Sequence, residues 1–245
     1  MSDPEPAVDA ATIYDAFADK YRAYSETKSA YIGAVDDLIA GQLKTPPSVM
    51  LDYGSGDGVR GIELAKQVAP VRFFQADISD EMVARCKELG HAEQVFSVNT
   101  PDWAADLPDV DALVCLWNVL GHVPGTDARR NLLAELFSLM RPGGKLFIDV
   151  NNRHYVGYGR WTSLGRRIID AIKPNYTRGD IRFDWNIDGV DYPASGHFFT
   201  PAEMVDLLKS AGFKIEKAQS VHYTTGDVSN DLTEGQLFYV ASKPA

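Results

Sequence analysis

The stretch Val49 to Gly61, VMLDYGSGDGVRG, sets glycines among polar residues directly after a short apolar run that closes on Asp52. A glycine-rich turn between strand and helix brings bare backbone N–H groups up to a ligand, and it serves dinucleotides, nucleotide phosphates and adenosyl cofactors alike. Asp77 stands at the tip of the next apolar run, about 20 residues on, where a carboxylate can accept hydrogen bonds from both ribose hydroxyls. The order of the glycines narrows the choice. A dinucleotide loop reads G-x-G-x-x-G, whereas Gly54, Gly56 and Gly58 read G-x-G-x-G. Asp52 and Asp57 would repel a pyrophosphate but tolerate an ammonium and a sulfonium. No Gly-Lys-Ser/Thr follows to make a P-loop. The Tyr-x-x-x-Lys pair of Tyr24 with Lys28 precedes the first strand, out of place for hydride chemistry. S-adenosylmethionine fits best, against a plain tight turn as the bland alternative.

Two histidines are candidate catalytic groups. His122 follows the fourth strand and would face the cleft, to orient a substrate or take a proton; the alternative is a histidine that is merely hydrogen-bonded. His197 ends an aromatic-rich stretch, next to the helix start TPAE. His91, His154 and His222 have no ligand spacing, so no metal is expected. Trp117 is either core packing or a wall whose aromatic face favours a positive charge.

The elements that position these residues alternate. A helical stripe of Ile13, Phe17 and Tyr21 comes first, after a proline-bearing start expected to be disordered over residues 1–8. A second helix from about Thr27 to Leu43 ends at TPP. Strands are predicted over 48–52, 71–76, 95–98, 111–117 and 145–150, with helices over 59–68 and 126–140. A further helix is capped by Ser79 and stopped by Gly90. Such alternation implies a doubly wound, mostly parallel α/β sheet of seven strands, with its ligand at the carboxyl ends of the strands. The expected organisation is a helical cover over 1–47, a cofactor-binding core over 48–150, an aromatic-rich lid over 151–199, and the rest of the core over 200–245. The lid carries one helix (162–172) and a hairpin around Asp188-Gly189. Thr200, Pro201 and Glu203 read as a capping box opening the next helix, and strands over 214–221 and 236–241 finish the sheet.

The segments VMLDYGSGDG, FFQADISDEMVARCKE, VDALVCLWNVLGHV, LMRPGGKLFIDV and FFTPAEMVDLLKSAGF resemble, in order and spacing, the successive motifs of class I S-adenosylmethionine-dependent methyltransferases, a Rossmann-like fold. The resemblance covers roughly Tyr14 to Val240, and five ordered motifs are far more specific than one. It implies S-adenosylmethionine as cofactor. Gly54, Ser55 and Gly56 would approach the methionine portion, Asp77 would hold the ribose, and Ile78 would pack on the adenine. Tyr21, Asp52 and Met82 would complete that side. Asn99 and Thr100 stand where the family often has an acid for the adenine amino group, a departure from the pattern. Leu116, Trp117 and Asn118 would line the methyl-donor end, and Tyr14, Tyr155, Trp161 and Trp185 would join Asn118 around the acceptor.

Methyl transfer from a sulfonium asks mainly for alignment in a dry site. With no metal constellation and no evident base pair, nitrogen is favoured over oxygen as the acceptor atom. LWNV at Leu116–Val119 lacks the N/D-P-P-Y of adenine and glutamine-amide methylators. The formal charge of −10 disfavours a phosphate-backbone partner. Chain length, helical cover and aromatic insertion are similar to N-methyltransferases acting on flat azapteridines of the toxoflavin type. The alternatives are an O-methyltransferase of a small hydroxylated metabolite, a cofactor-binding protein without turnover, and an NAD-dependent oxidoreductase. No apolar run spans a membrane, and Cys86 and Cys115 form no C-x-x-C pair. The expectation is therefore a cytoplasmic enzyme with reduced thiols, monomer or homodimer, with neither nucleic acid nor membrane as partner.

Overall fold

The computed structural model describes residues 10–187 and 189–245; the start expected to be disordered, and Asp188 of the hairpin turn, lie outside them. α1 (Ala10–Glu26) buries Ile13, Phe17 and Ala18, and α2 (Ser29–Gln42) buries Tyr31, Val35 and Ile39. β1 (Val49–Tyr53), α3 (Val59–Val68), β2 (Arg72–Asp77), α4 (Asp80–Leu89), β3 (Gln94–Ser97), β4 (Val110–Cys115), α5 (Thr126–Leu139) and β5 (Met140–Val150) then alternate. The caps read from the sequence are in place at α4. Ser79 Oγ accepts from Met82 N at 3.1 Å, and Gly90 ends the helix in the left-handed region at φ 64°.

The main sheet has the order β3-β2-β1-β4-β5-β10-β8-β9, where β8 is Lys214–Val221, β9 Val228–Ser229 and β10 Gln236–Ser242. β1 to β5 pair in parallel, and β10 runs antiparallel to both β5 and β8. The seven expected strands are joined by a two-residue edge, β9, too short to leave a periodic signal. Arg141 to Gly144, expected to close α5, belong instead to the start of β5 across a register shift. Alternation along β1 covers both faces of the sheet. Met50 packs with Val35, Ile39 and Ile62 from α2 and α3, and Leu51 with Leu133, Leu136 and Leu207 from the other side. α7 (Pro201–Ser210) supplies Leu207.

Strand order reverses between β1 and β4, so the tips of β1, β2 and β4 open onto one crevice, as the topology requires. Over that crevice lies the segment between β5 and α7, which contains α6 (Arg160–Ile172) and the hairpin of β6 (Asp180–Ile187) with β7 (Val190–His197). Its two ends are joined. Phe199 N donates to Asn151 O at 2.8 Å and Arg153 N to Phe199 O at 2.8 Å.

Candidate functional site

The crevice is a cavity of about 990 Å³. From the sheet it receives Gly54 and Gly56, Asp77 and Ile78, and Leu116 and Trp117; from α1, Tyr14 and Tyr21; from the turn after β4, His122; from the hairpin, Trp185. Ten of the sequence-expected site residues therefore share one cavity, though they lie far apart in the chain.

The floor follows from backbone geometry. Gly54 (φ 76°) and Gly56 (φ 55°) occupy the left-handed region, which side chains disfavour; an ideal Cβ on Gly56 would also come within 2.7 Å of Tyr21 Oη. Gly54 N and Ser55 N both donate to Ala76 O, tying the loop to the tip of β2. Asp77 accepts from Gly56 N at 2.8 Å and Ser79 N at 2.9 Å. Burial pushes its carboxyl up to about 6 against those bonds.

A small void of about 20 Å³ adjoins the loop, lined by Asp52, Ser55, Arg60, Tyr21 and Trp117 among others. Burial raises Asp52 to about 7, opposed chiefly by Arg60. The Arg60 guanidinium binds Asp36 through Nε (3.0 Å) and Nη2 (2.8 Å), and its buried Nη1 has no partner among the described residues. An acid and an unsatisfied guanidinium side by side suit a group carrying both an amine and a carboxylate.

The far end is set by the tip of β4. Trp117 (φ 60°) and Asn118 (φ 64°) are both left-handed, and their N–H groups donate to Asp149 Oδ1. Asp149 Oδ2 accepts from Tyr31 at 2.6 Å. Trp117 stacks on Tyr24 (5.7 Å, 10°) and meets Tyr21 edge-on, while its Nε1 donates to Tyr223 at 3.2 Å. Opposite it, Tyr14 Oη lies 3.1 Å from His122 Nε2. Burial holds that imidazole below its usual pKa, offset in part by the Ser195 backbone, so it is neutral near pH 7. Trp185 closes the roof against Phe17 (4.6 Å) and Tyr14 (6.1 Å).

Several expected residues stand elsewhere. His197 is fully buried and outside the cavity. Its Nδ1 lies 2.7 Å from Asp180 Oδ1 and its Nε2 2.9 Å from Glu203 Oε1, so both ring nitrogens are engaged. Trp161 is 82% exposed on α6 and Tyr155 packs on Tyr158 and His222; neither lines the cavity. Asn99 and Thr100 are exposed and also outside it; Asn99 Nδ2 instead braces Ile78 O at 2.7 Å. Met82 is sealed in α4. Asn118 is buried and accepts from Asn151 N at 2.9 Å. Asp52 and Ser55 face the small void.

The sequence reading missed Arg60, and also Val119, Arg129, Leu132 and Ile181, which wall the large cavity. Arg129 is 2% exposed and pairs with Asp180 at 2.7 Å. Its only sequence signal was an arginine on the apolar face of α5, and the hairpin that meets it is a long-range contact that periodicity does not report. Among the described residues, no group of three or more His, Cys, Asp or Glu could hold a metal ion.

Residues 25–218 match the model of a methyltransferase domain family. A ubiquinone biosynthesis O-methyltransferase of Coxiella burnetii is 27% identical over 197 residues, 77% of this chain and 74% of that protein. The structure of the CcbJ methyltransferase from Streptomyces caelestis superposes with a TM-score of 0.68 at 15% identity, covering 97% of this chain and 100% of that one. The 1,6-didemethyltoxoflavin-N1-methyltransferase of Burkholderia thailandensis, solved with 1,6-didemethyltoxoflavin and S-adenosylhomocysteine bound, superposes with a TM-score of 0.58 at 20% identity, over 99% of this chain and 93% of that one.

Proposed function

The chain belongs to the methyltransferase domain family and is an S-adenosylmethionine-dependent methyltransferase; from that premise we propose that it methylates a ring nitrogen of a small, flat heteroaromatic acceptor. When bound, S-adenosylmethionine supplies a methyl group on a sulfonium. In this assignment Gly54, Ser55 and Gly56 offer backbone to the methionine portion, Asp52 and Arg60 take its amine and carboxylate, Asp77 holds the ribose, and Ile78 packs on the adenine.

The observation that carries the acceptor class is the aromatic lining of the cavity, which Tyr14, Tyr21, Trp117 and Trp185 share, packed edge-on against one another and His122. Such walls stack on a planar acceptor and favour the positive charge passing between sulfur and nitrogen. At about 990 Å³ the cavity is at the top of the range for small-molecule sites, which leaves room for an acceptor beside the cofactor. An apolar site also keeps a nitrogen acceptor unprotonated. Neutral His122, braced by Tyr14, is the group to receive the proton that a ring N–H loses as nitrogen takes the methyl. Two buried free thiols, Cys86 and Cys115, support a reducing, cytoplasmic setting.

O-methylation is the second reading. The same neutral His122 could take a hydroxyl proton, and the curated relative is named an O-methyltransferase. Incubation with methyl-labelled S-adenosylmethionine, with product mass spectrometry, separates the two. Turnover of azapteridines of the toxoflavin type, with His122→Gln losing only about tenfold, supports nitrogen. Turnover of phenols alone, with a loss of roughly 100-fold or more in that variant, establishes oxygen.

A further inference from the structure

α6 turns its apolar face outward. Trp161, Leu164, Ile168 and Ile172 recur every three or four residues along one side of the helix, and they are 82%, 41%, 51% and 72% exposed. Its buried residue is Ser163, on the opposite side. Asp170, the helix's one acid, points the same way as Ser163, with Oδ2 2.8 Å from Arg153 and 3.0 Å from His154. By helical spacing Arg160 and Arg167 flank one edge of the apolar face; on the other, Ile169, 51% exposed, extends it toward Lys173 just past the helix end, while Arg166 turns inward and donates to Arg153 O at 3.2 Å. In a chain of net charge −10, the exposed Arg160, Arg167 and Lys173 rim an exposed apolar stripe.

We propose that α6 is an in-plane membrane-surface helix, docking the enzyme on bilayers rich in anionic lipid. Trp161, Leu164, Ile168 and Ile172 enter the headgroup boundary and the flanking cations meet lipid phosphates. A second copy of the chain fits the face less well, because both edges carry positive charge and paired helices would bring like charges together. No described helix is long and apolar enough to cross a membrane, and an in-plane helix needs no such span; the sequence expectation of no membrane partner considered spans alone. The helix leads through Tyr176–Gly179 directly into β6, so docking would set the cavity wall against the bilayer surface. The assignment does not depend on which atom is methylated.

The test is sedimentation of the full chain with vesicles of phosphatidylcholine, alone or mixed with phosphatidylglycerol. Expected is pelleting with the mixed vesicles only, weakened by salt, with a blue shift in tryptophan emission that disappears in Trp161→Phe. Ile168→Ser with Ile172→Ser should lower partitioning at least about tenfold, and Arg160→Gln with Arg167→Gln roughly fivefold per arginine. Both double variants should keep wild-type S-adenosylhomocysteine affinity, which certifies their fold. Pelleting with neither vesicle, equal pelleting with both, or a wild-type dimer that the isoleucine variant splits without any vesicle binding would overturn the assignment.

Discussion

His197 Nε2 lies 2.9 Å from Glu203 Oε1, so the carboxylate that a Thr-x-x-Glu helix start would fold back onto its own cap binds the roof hairpin instead. Thr200 still caps α7, accepting from Glu203 N at 3.1 Å. The imidazole also meets Asp180, which in turn holds Arg129. One buried side chain thus clamps β6 and β7 to α5 and α7. His197→Ala should cost about 3 kcal/mol in denaturant unfolding, because it strands the buried Glu203 carboxylate. Cofactor affinity measured in native buffer should stay near wild type. A large loss of affinity with unchanged stability would instead put His197 in the site.

Asp77 titrates where it can be watched. Its carboxyl sits at about 6 in the free protein because burial disfavours the charge, and only the carboxylate accepts from two ribose hydroxyls. Calorimetric affinity for S-adenosylhomocysteine should therefore hold above about pH 7 and fall by up to about tenfold per unit below about pH 6. Asp77→Asn should bind roughly 100-fold more weakly and lose that pH dependence.

Asp52 reports through stability, which falls as pH rises. The folded protein keeps its proton up to about pH 7, against a usual value of 3.8. The stability linked to neutral Asp52 is full at acid pH and is lost as pH rises through about 7. Asp52→Asn avoids that loss, so its thermal midpoint should exceed wild type at about pH 8 and converge with it at acid pH. Cofactor binding should weaken in the same variant.

Trp185 is the point where the hairpin meets α1, touching Tyr14, Phe17 and Tyr24. Trp185→Ala should loosen that contact by roughly 2–3 kcal/mol. Limited proteolysis should then cut α1 faster, and the KM for the acceptor should rise more than that for the cofactor.

Much of this is legible in the sequence. Gly54, Gly56 and Asp77 signal themselves because a strand-turn-helix with a following acid is a local pattern, and Ser79 and Gly90 bound α4 by local capping. What local pattern could not supply was pairing across the chain. Tyr14 and His122 each read as candidates, yet their contact spans 108 residues. His197 looked available because its two carboxylate partners come from β6 and α7, which only the fold brings together. Trp161 went wrong for another reason. As one more lid aromatic it points to the acceptor, whereas its spacing with Leu164, Ile168 and Ile172 describes an apolar helix face.

The backbone join at Asn151 and Phe199 makes the whole excursion between them a closed loop on a finished sheet. Loop length costs little once the ends are held together, so this segment can be shortened, extended or replaced where Asp180 and His197 keep their contacts to Arg129 and Glu203. The donor end has no such freedom, being built from left-handed turns locked to buried Asp149. Lineages of this enzyme could therefore exchange acceptors by swapping a cassette of roof while inheriting the floor unchanged, and a laboratory graft between Asn151 and Phe199 is the natural way to do the same.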